Sequence, residues 1–524
     1  MRISQPRLFC ACATAIAMLC VGLGCGSPPK SNGEHSAAVS EDKEAKPEKV
    51  ELPPLASPDC AAALPALEAA PPKVTEADGF RALGPEGAPK IGAGPILGDV
   101  TDQSVAVWIR TDRASPWRVS VWADKQAKKK VVIEGPEPTR ESDFTATVRL
   151  DKLTPSTVYE YEVELGAAGK GAIKLPKSAF HTLAAPGTAG KLRIAVGARL
   201  SADGPQPILT QIADVKPDIL MLLGDQIYAG NLKASFEAYA NKYTHNWNIA
   251  ELKTLMQSVP TYMMWDDQEI KQHYFAGSSE NRYAPARLAY DLYTHAHNPA
   301  PVRDGELHYQ FQAGDVSFFV LDVRSHRSDP DDNEGPHKTM LGEAQKADLA
   351  RFLKCAPGKV KVVATPVPFS NQVGSGSWRD YESERKQIIQ FIEREKVDNL
   401  IMLSADRSWS ALLAHKHKST SFYELMPTPL SKELGKAPKK SAKGIVASDD
   451  DNHVFGVVDI DTSVKPATIA FTLCAKGKPC KPGEEPAPKT GLDQEGPQEN
   501  VPFTFKITED DIGPIGAPAA APAK

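Results

Sequence analysis

Ile219-Leu220-Met221-Leu222-Leu223-Gly224-Asp225-Gln226-Ile227-Tyr228 is the stretch that decides how this chain folds. An apolar run this short, closed by a glycine, reads as a strand buried on both faces. Gly224 sharpens the exit, and Asp225 then sits at the rim of a sheet. Similar short apolar runs follow at Leu192 to Val196, Val316 to Leu321, Val360 to Ala364 and Leu400 to Leu403. Helical stretches such as Gly342 to Leu353 and Glu382 to Glu393 lie between them. That alternation predicts an α/β layered domain. Ligands in such domains are held by loops at the carboxyl ends of strands. Two more strand ends carry acids: Tyr262-Met263-Met264-Trp265-Asp266-Asp267-Gln268-Glu269 and Leu400-Ile401-Met402-Leu403-Ser404-Ala405-Asp406-Arg407-Ser408-Trp409. Three such ends in one fold predict a convergent binding site. Strands return at His453 to Ile460, Ala467 to Leu473 and Phe503 to Ile507.

Upstream, Ser104 to Ile109 and Arg118 to Trp122 alternate with the period of a half-buried sheet. Leu153-Thr154-Pro155-Ser156-Thr157-Val158-Tyr159-Glu160-Tyr161 adds another strand after a turn. Short strands at this spacing predict a small β-sandwich over residues 90–186. The L-x-P-x-T-x-Y-x-Y string resembles a fibronectin type III-like domain. The run Lys128-Lys129-Lys130 reads as a solvated loop or edge. Residues 26–75, rich in Pro, Ala, Glu and Lys, read as a disordered tether, and 511–524 as a disordered tail.

The chain of 524 residues is 41% hydrophobic and 24% charged, which is ordinary for a globular protein of more than one folded unit. Its net charge of −5 argues against nucleic acid as a partner, because phosphate contacts need a basic surface. Arg2 and Arg7 precede an apolar segment, Leu8 to Leu23, too short to span a bilayer comfortably; residues 1–25 read as a signal peptide. A cysteine directly after Gly24 resembles a bacterial lipoprotein cleavage site, which implies lipidation at Cys25 and a membrane contact through that lipid. An ordinary secretory signal cut near Gly24 is the other reading. Either predicts an exported protein of the bacterial envelope, with lipid placing it on a periplasmic or outer-membrane face. In an oxidising compartment Cys474 and Cys480 form a local disulfide candidate around Gly477 and Pro479. Cys60 with Cys355 follows only by elimination.

Several strings resemble, in order, the alkaline phosphatase D-like metallophosphoesterases. They are Gly94-Pro95 through Val100-Thr101, Ser104 to Arg110, Leu222-Gly224-Asp225-x-x-Tyr228, Trp265-Asp266-Asp267, Leu321-Asp322-x-Arg324-x-x-Arg327, Met340-Leu341-Gly342-x-x-Gln345 and Leu403-Ser404-x-Asp406-Arg407. The resemblance implies a four-layer α/β fold over residues 190–510, two mixed sheets as a β-sandwich flanked by helices, preceded by the fibronectin-like domain. It implies a phosphoester substrate and a multinuclear centre of divalent or trivalent ions (Ca, Fe, Zn or Mn). Metals in such a centre activate a water and neutralise phosphoryl oxygens. Asp225, Tyr228 and Asp406 are its implied ligands. Asp225, Asp406 and Arg324 are the candidate catalytic residues, although Arg324 and Arg327 also suit structural pairing with Asp322 or Asp329.

The departures from the family pattern are specific. A G-S-C segment reads Gly197-Ala198-Arg199, so a cation replaces a cysteine ligand. W-D-D-H-E reads Trp265-Asp266-Asp267-Gln268-Glu269, and S-G-D-x-H ends on Ser408. N-N reads Gln272-His273, and His273 is the one gain, an imidazole in place of an amide. His415-Lys416-His417 reads as a polar loop, with a lesser reading as displaced ligands. Without a metal, Asp225 and Asp406 would repel, and Arg199 between them would supply the missing charge. The primary expectation is therefore a pseudoenzyme with impaired or lost hydrolysis and a binding or scaffolding role, holding no metal. The alternatives are an active phosphatase or phosphodiesterase using Asp225, Tyr228, His273 and Asp406, or hydrolysis through Asp and Arg alone. Neither a G-x-S-x-G elbow nor a P-loop is present. Substrate, physiological role and oligomeric state stay open.

Overall fold

Alternating apolar residues build a small sandwich first. The computed structural model describes residues 51–514 except 63–66, 68–70, 85, 168, 170, 439–443 and 484–501. The signal segment, Cys25, the tether to residue 50 and the tail from 515 lie outside the described residues. β1 (Ile91–Gly98), β2 (Val105–Thr111), β3 (Trp117–Ala123), β4 (Val131–Glu134), β5 (Thr145–Leu150), β6 (Val158–Leu165), β7 (Ile173–Lys174) and β8 (Ser178–His181) form two antiparallel sheets. One runs β1-β2-β5. The other runs β4-β3-β6-β7, with β8 also on β6. Val107, Ile109, Trp117, Val119, Tyr161 and Val163 fill the space between them. Lys128, Lys129 and Lys130 are exposed, as a solvated run should be.

The chain then enters β9 (Lys191–Gly197), α1 (Pro207–Asp214), β10 (Ile219–Leu223), α2 (Phe236–Trp247), α3 (Ala250–Met256), β11 (Thr261–Met264) and α4 (Glu280–Tyr293). A second sheet takes β12 (Tyr309–Ala313), β13 (Val316–Val320), β14 (Val360–Ala364), β15 (Leu400–Leu403), β16 (Ser410–Lys416), β17 (Thr420–Met426) and β18 (Ile445–Asp449). Helices α5 (Gly342–Cys355) and α6 (Glu382–Arg394) interrupt it. The last strands, β19 (Val454–Asp461), β20 (Thr468–Ala475) and β21 (Phe503–Thr508), return to the first sheet, whose order is β11-β10-β9-β19-β20-β21. A short β22 (Gly513–Pro514) pairs with β17, so the stretch read as tail from 511 begins with an ordered strand.

Side-chain period decides the layers. Ile194, Val196, Met221 and Leu223 point between the sheets and meet Val362, Ile401 and Leu403. Ala195, Leu220 and Leu222 point the other way and are covered by Ile208, Leu209 and Ile212 of α1 with residues of α2, α3 and α4. On the far side, Phe319, Val363 and Met402 are covered by Leu349 and Phe352 of α5 and Ile388 and Ile392 of α6. The result is helices, sheet, sheet, helices: a four-layer fold. Both parallel stretches, β9-β10-β11 and β13-β14-β15, end on the same kind of rim that the sequence pattern indicates.

The small sandwich is not an independent bead on this body. Its inner residues share one continuous apolar cluster with those of the two large sheets. Polar bonds cross as well. Tyr161 Oη and Ser178 Oγ both donate to the carbonyl of Gln257 at 2.8 Å, and Tyr262 Oη donates to that of Val100 at 2.7 Å.

The stretch read as tether has a fixed portion. Cys60 is joined to Cys355 at the end of α5, with Cα atoms 5.3 Å apart. Arg351 donates to the carbonyl of Asp59 at 2.7 Å, and Arg394 to that of Leu55 at 2.6 Å. Composition alone cannot order this segment, but one covalent link across 295 residues and two arginines hold it on α5 and α6. Cys474 and Cys480 are likewise joined, Cα to Cα 5.5 Å. Changing Cys60 to Ser should lower stability by about 2–4 kcal/mol, since the link restrains a long loop in the unfolded chain. Denaturant unfolding measures the loss. Limited proteolysis should at the same time cut within residues 51–62, and a segment still protected in the variant would contradict the strap.

Candidate metal centre

Each parallel strand ends in a sharp turn that carries one charged side chain inward. Gly224, at φ +95°, makes the turn after β10, and a Cβ there would lie 2.7 Å from the Cβ of Asp266. Only glycine allows that approach. Arg199, Asp225 and Asp406 all adopt left-handed backbone, at φ +59°, +57° and +66°. Such conformations cost about 1–3 kcal/mol each in non-glycine residues and collect at functional sites. Here they aim three side chains from β9, β10 and β15 at one point.

Asp225, Asp266, Asp267 and Asp406 each bring a carboxylate oxygen within 4.8 Å of the others. Arg199 lies among them. Its Nη1 is 3.2 Å from Asp225 Oδ2 and 3.8 Å from Asp406 Oδ1, and donates to the Asp406 carbonyl at 2.8 Å. Tyr228 Oη reaches the same Asp225 oxygen at 3.5 Å, under the ammonium of Lys432 stacked 4.1 Å above its ring. Arg407 lies 3.4 Å from Asp406 Oδ2. Arg324 is buried at 3% exposure, with its Nε paired to Asp266 Oδ1 and its Nη1 donating to the Tyr274 carbonyl at 3.1 Å. Arg327 donates to Tyr381 Oη at 2.9 Å. Neither of these two arginines pairs with the side chain of Asp329, and Arg324 meets Asp322 through its backbone N–H at 3.0 Å. As a phosphate-binding catalytic group Arg324 is therefore misplaced: it is enclosed and engaged by Asp266.

Glu269 supports the cluster from below. Its carboxylate accepts the backbone N–H groups of Asp225, Gln226, Ile227 and Asp266 at 2.6–3.2 Å, tying the turn after β10 to the turn after β11. Burial raises its pKa to about 8 against the pull of these amides. Burial also raises Asp266 to about 7, although Arg324 opposes it. Asp225 is pushed well up by burial and by the neighbouring Asp267, Asp266 and Glu269, with Arg199 opposing. Burial works against the Arg199 charge too, but Tyr228, Asp225 and Asp406 outweigh it, so the guanidinium stays a cation.

Five carboxyl groups thus meet three guanidiniums, and the site keeps an acid excess. Asp225 Oδ1 and Asp266 Oδ2 are buried without a hydrogen-bond partner. The four clustered aspartates can therefore hold a metal ion, and an all-oxygen set suits one hard cation such as Ca²⁺, Mg²⁺ or Mn²⁺. The multinuclear centre implied by the resemblance does not fit. No imidazole or thiolate joins the cluster, and Arg199 stands among the carboxylates where its positive charge would repel an ion.

Of the residues singled out in the sequence, Asp225 and Asp406 come together and Tyr228 touches them. His273 does not belong to the clustered group: its side chain is exposed, and only its backbone N–H reaches Asp267. Gln268 contributes its carbonyl to Ala229 N–H at 2.8 Å, and Ser408 its carbonyl to Gly435 N–H at 2.7 Å. His415-Lys416-His417 is no loop but the end of β16, and His415 is buried against Glu424 at 2.7 Å, which leaves neither histidine in the cluster. Asp266, Asp267 and Glu269 were legible as an acidic strand end, yet nothing in the string separates cluster members from amide acceptors.

Residues 192–470, more than half of the chain, match the model of a PhoD-like phosphatase. Residues 88–184 match a domain of unknown function (DUF7800). Alkaline phosphatase D of Bacillus subtilis (strain 168) is 26% identical over 393 residues, which cover 63% of this chain and 66% of that protein, just under two thirds of its length. A solved structure described as "Structure of PhoD" superposes with a TM-score of 0.62 at 21% identity, covering 77% of this chain and 93% of that one. The purple acid phosphatase PPD1 from yellow lupin (Lupinus luteus) seeds superposes with a TM-score of 0.55 at 13% identity, covering 74% and 72%. At these identities the two structures speak for the four-layer fold alone. The family match over the sheets and the strand ends that carry the aspartates places this chain in the PhoD-like phosphatase family.

Proposed function

We propose that this chain is an exported PhoD-like protein of the bacterial envelope, lipid-anchored through Cys25, in which metal-dependent phosphoester hydrolysis is impaired or lost and a binding or scaffolding role remains. The observation that carries this reading is the Arg199 guanidinium, 3.2 Å from Asp225 and 3.8 Å from Asp406. A guanidinium neutralises carboxylates but cannot lower the pKa of a water as a Lewis acid does. A second reading has its own support. The unpartnered oxygens of Asp225 and Asp266 favour one bound hard cation and an active phosphatase or phosphodiesterase with a reduced ligand set.

Hydrolysis of p-nitrophenyl phosphate and bis(p-nitrophenyl) phosphate decides between them. The full chain should turn over neither ester faster than its Asp225→Asn variant, with Ca²⁺, Mn²⁺, Fe³⁺ or Zn²⁺ added. Turnover stimulated by one of these ions and lost in Asp225→Asn would establish the second reading.

A further inference from the structure

A second group of donors lies where the segment entering β12 meets the loop after β13. His326 Nε2 is 2.8 Å from Glu306 Oε2, and His308 Nδ1 is 3.9 Å from the same oxygen. His308 is fully buried. Its other nitrogen, Nε2, lies 3.0 Å from Asp348 Oδ2. Arg303 grips Asp348 through two bonds of 2.6 and 2.7 Å, so Asp348 is an ionised acceptor and the His308 proton sits on Nε2. Nδ1 then carries a lone pair, and it has no hydrogen-bond partner. A buried lone pair facing a carboxylate oxygen is repulsive unless a cation joins them.

The surroundings complete the argument. An imidazole whose far nitrogen donates to a carboxylate is the arrangement that orients histidine as a metal ligand. Separations of 2.8 and 3.9 Å bracket the ~3.3 Å between donors of a tetrahedral ion with bonds near 2.0–2.1 Å. Glu306 and His326 border an open cavity of about 290 Å³, also lined by Tyr274, Tyr283 and Ser325, which leaves room for water as a further ligand. His326 is 42% exposed and free to close on an ion. The neighbouring cation, Arg287, is neutralised by Asp291 at 2.9 Å.

We propose that Glu306, His308 Nδ1 and His326 Nε2 bind one borderline divalent ion of the zinc class, with Asp348 as the group that orients His308. Two imidazoles and a carboxylate select such an ion over Ca²⁺ or Mg²⁺. His326 is two residues from Arg324, so the ion would pin the loop that holds Arg324 on Asp266.

The test is a Zn²⁺ titration of the full chain by calorimetry in excess Ca²⁺, which occupies the aspartate cluster and leaves imidazoles free. One equivalent should bind, at least ~10-fold more weakly in His326→Ala and in Glu306→Gln, and unchanged in Asp225→Asn. His326 is at the surface, so its variant should fold like the parent, and the Glu306→Gln substitution is nearly isosteric. No Zn²⁺ binding, or binding unaltered in both variants, reduces Glu306 and His326 to a simple ion pair and overturns the proposal. Loss in Asp225→Asn instead assigns the ion to the aspartates and overturns it equally.

Discussion

Replacing Arg199 by methionine should destabilise the protein by about 3–5 kcal/mol at pH 8, and added Ca²⁺ should restore most of the loss. The side chain is only 15% exposed, and its charge faces Asp225 and Asp406. Removing one partner of a buried pair leaves the other uncompensated, which is where a cost of that size arises. Protonation offers the protein a second escape. Asp225, Asp266 and Glu269 already have raised pKa values, the last two at about 7 and 8. A raised acid binds protons more tightly folded than unfolded, so its stabilisation is present at acid pH and lost as pH rises through the folded value. Losing Arg199 raises Asp225 further. The deficit of the variant should therefore be small near pH 5, grow through pH 7 and be complete above pH 8. Urea unfolding at several pH values, with and without Ca²⁺, measures it. A deficit independent of both pH and Ca²⁺ would mean that Arg199 acts by packing alone.

Arg324→Met should cost as much or more, and no cation should rescue it. Arg324 is almost wholly enclosed, its Nε on Asp266 and its Nη1 on the Tyr274 carbonyl. The variant leaves a buried carboxylate and a buried carbonyl without donors, about 3–5 kcal/mol for the first and a further ~1–3 kcal/mol for the second. Asp322 makes the arrangement rigid, because it accepts the Arg324 N–H and the Trp265 indole at 3.0 and 2.9 Å. Thermal unfolding of Arg324→Met beside Arg199→Met, each with and without Ca²⁺, separates a closed structural pair from one at an ion site. Equal rescue of both would place Arg324 in the ion site, contrary to its enclosure.

Much of the fold could be read before any coordinates because it rests on period and length. Leu220 to Leu223 and Val362 to Ala364 are buried on both faces and therefore unbroken in hydrophobicity. The strands less plainly marked were those whose sequence mixes charge into burial. His415-Lys416-His417 looks polar, yet β16 alternates, and Glu424 satisfies the buried His415. The strap at 51–62 was hidden for another reason: its composition cannot order it, and the order comes from Cys60 and two distant arginines. In the site, Asp225 and Asp406 were visible as strand ends, as was the cation at Arg199. The partner of Arg324 was not, since Asp266 is 58 residues away and equally near in kind to Asp322 and Asp329. His273 failed as a ligand because backbone geometry, at φ +61°, turns its side chain to solvent while its N–H serves Asp267.

The most direct measurement is metal content by elemental analysis, full chain against Asp225→Asn, after equilibration with Ca²⁺, Mn²⁺, Fe³⁺ and Zn²⁺. Ions held at Glu306, His308 and His326 would appear equally in both and cancel. If arginine has replaced the metal centre, the difference will be zero or a single hard cation. Two or more ions lost with Asp225, iron or zinc among them, would contradict the account and restore a working multinuclear centre.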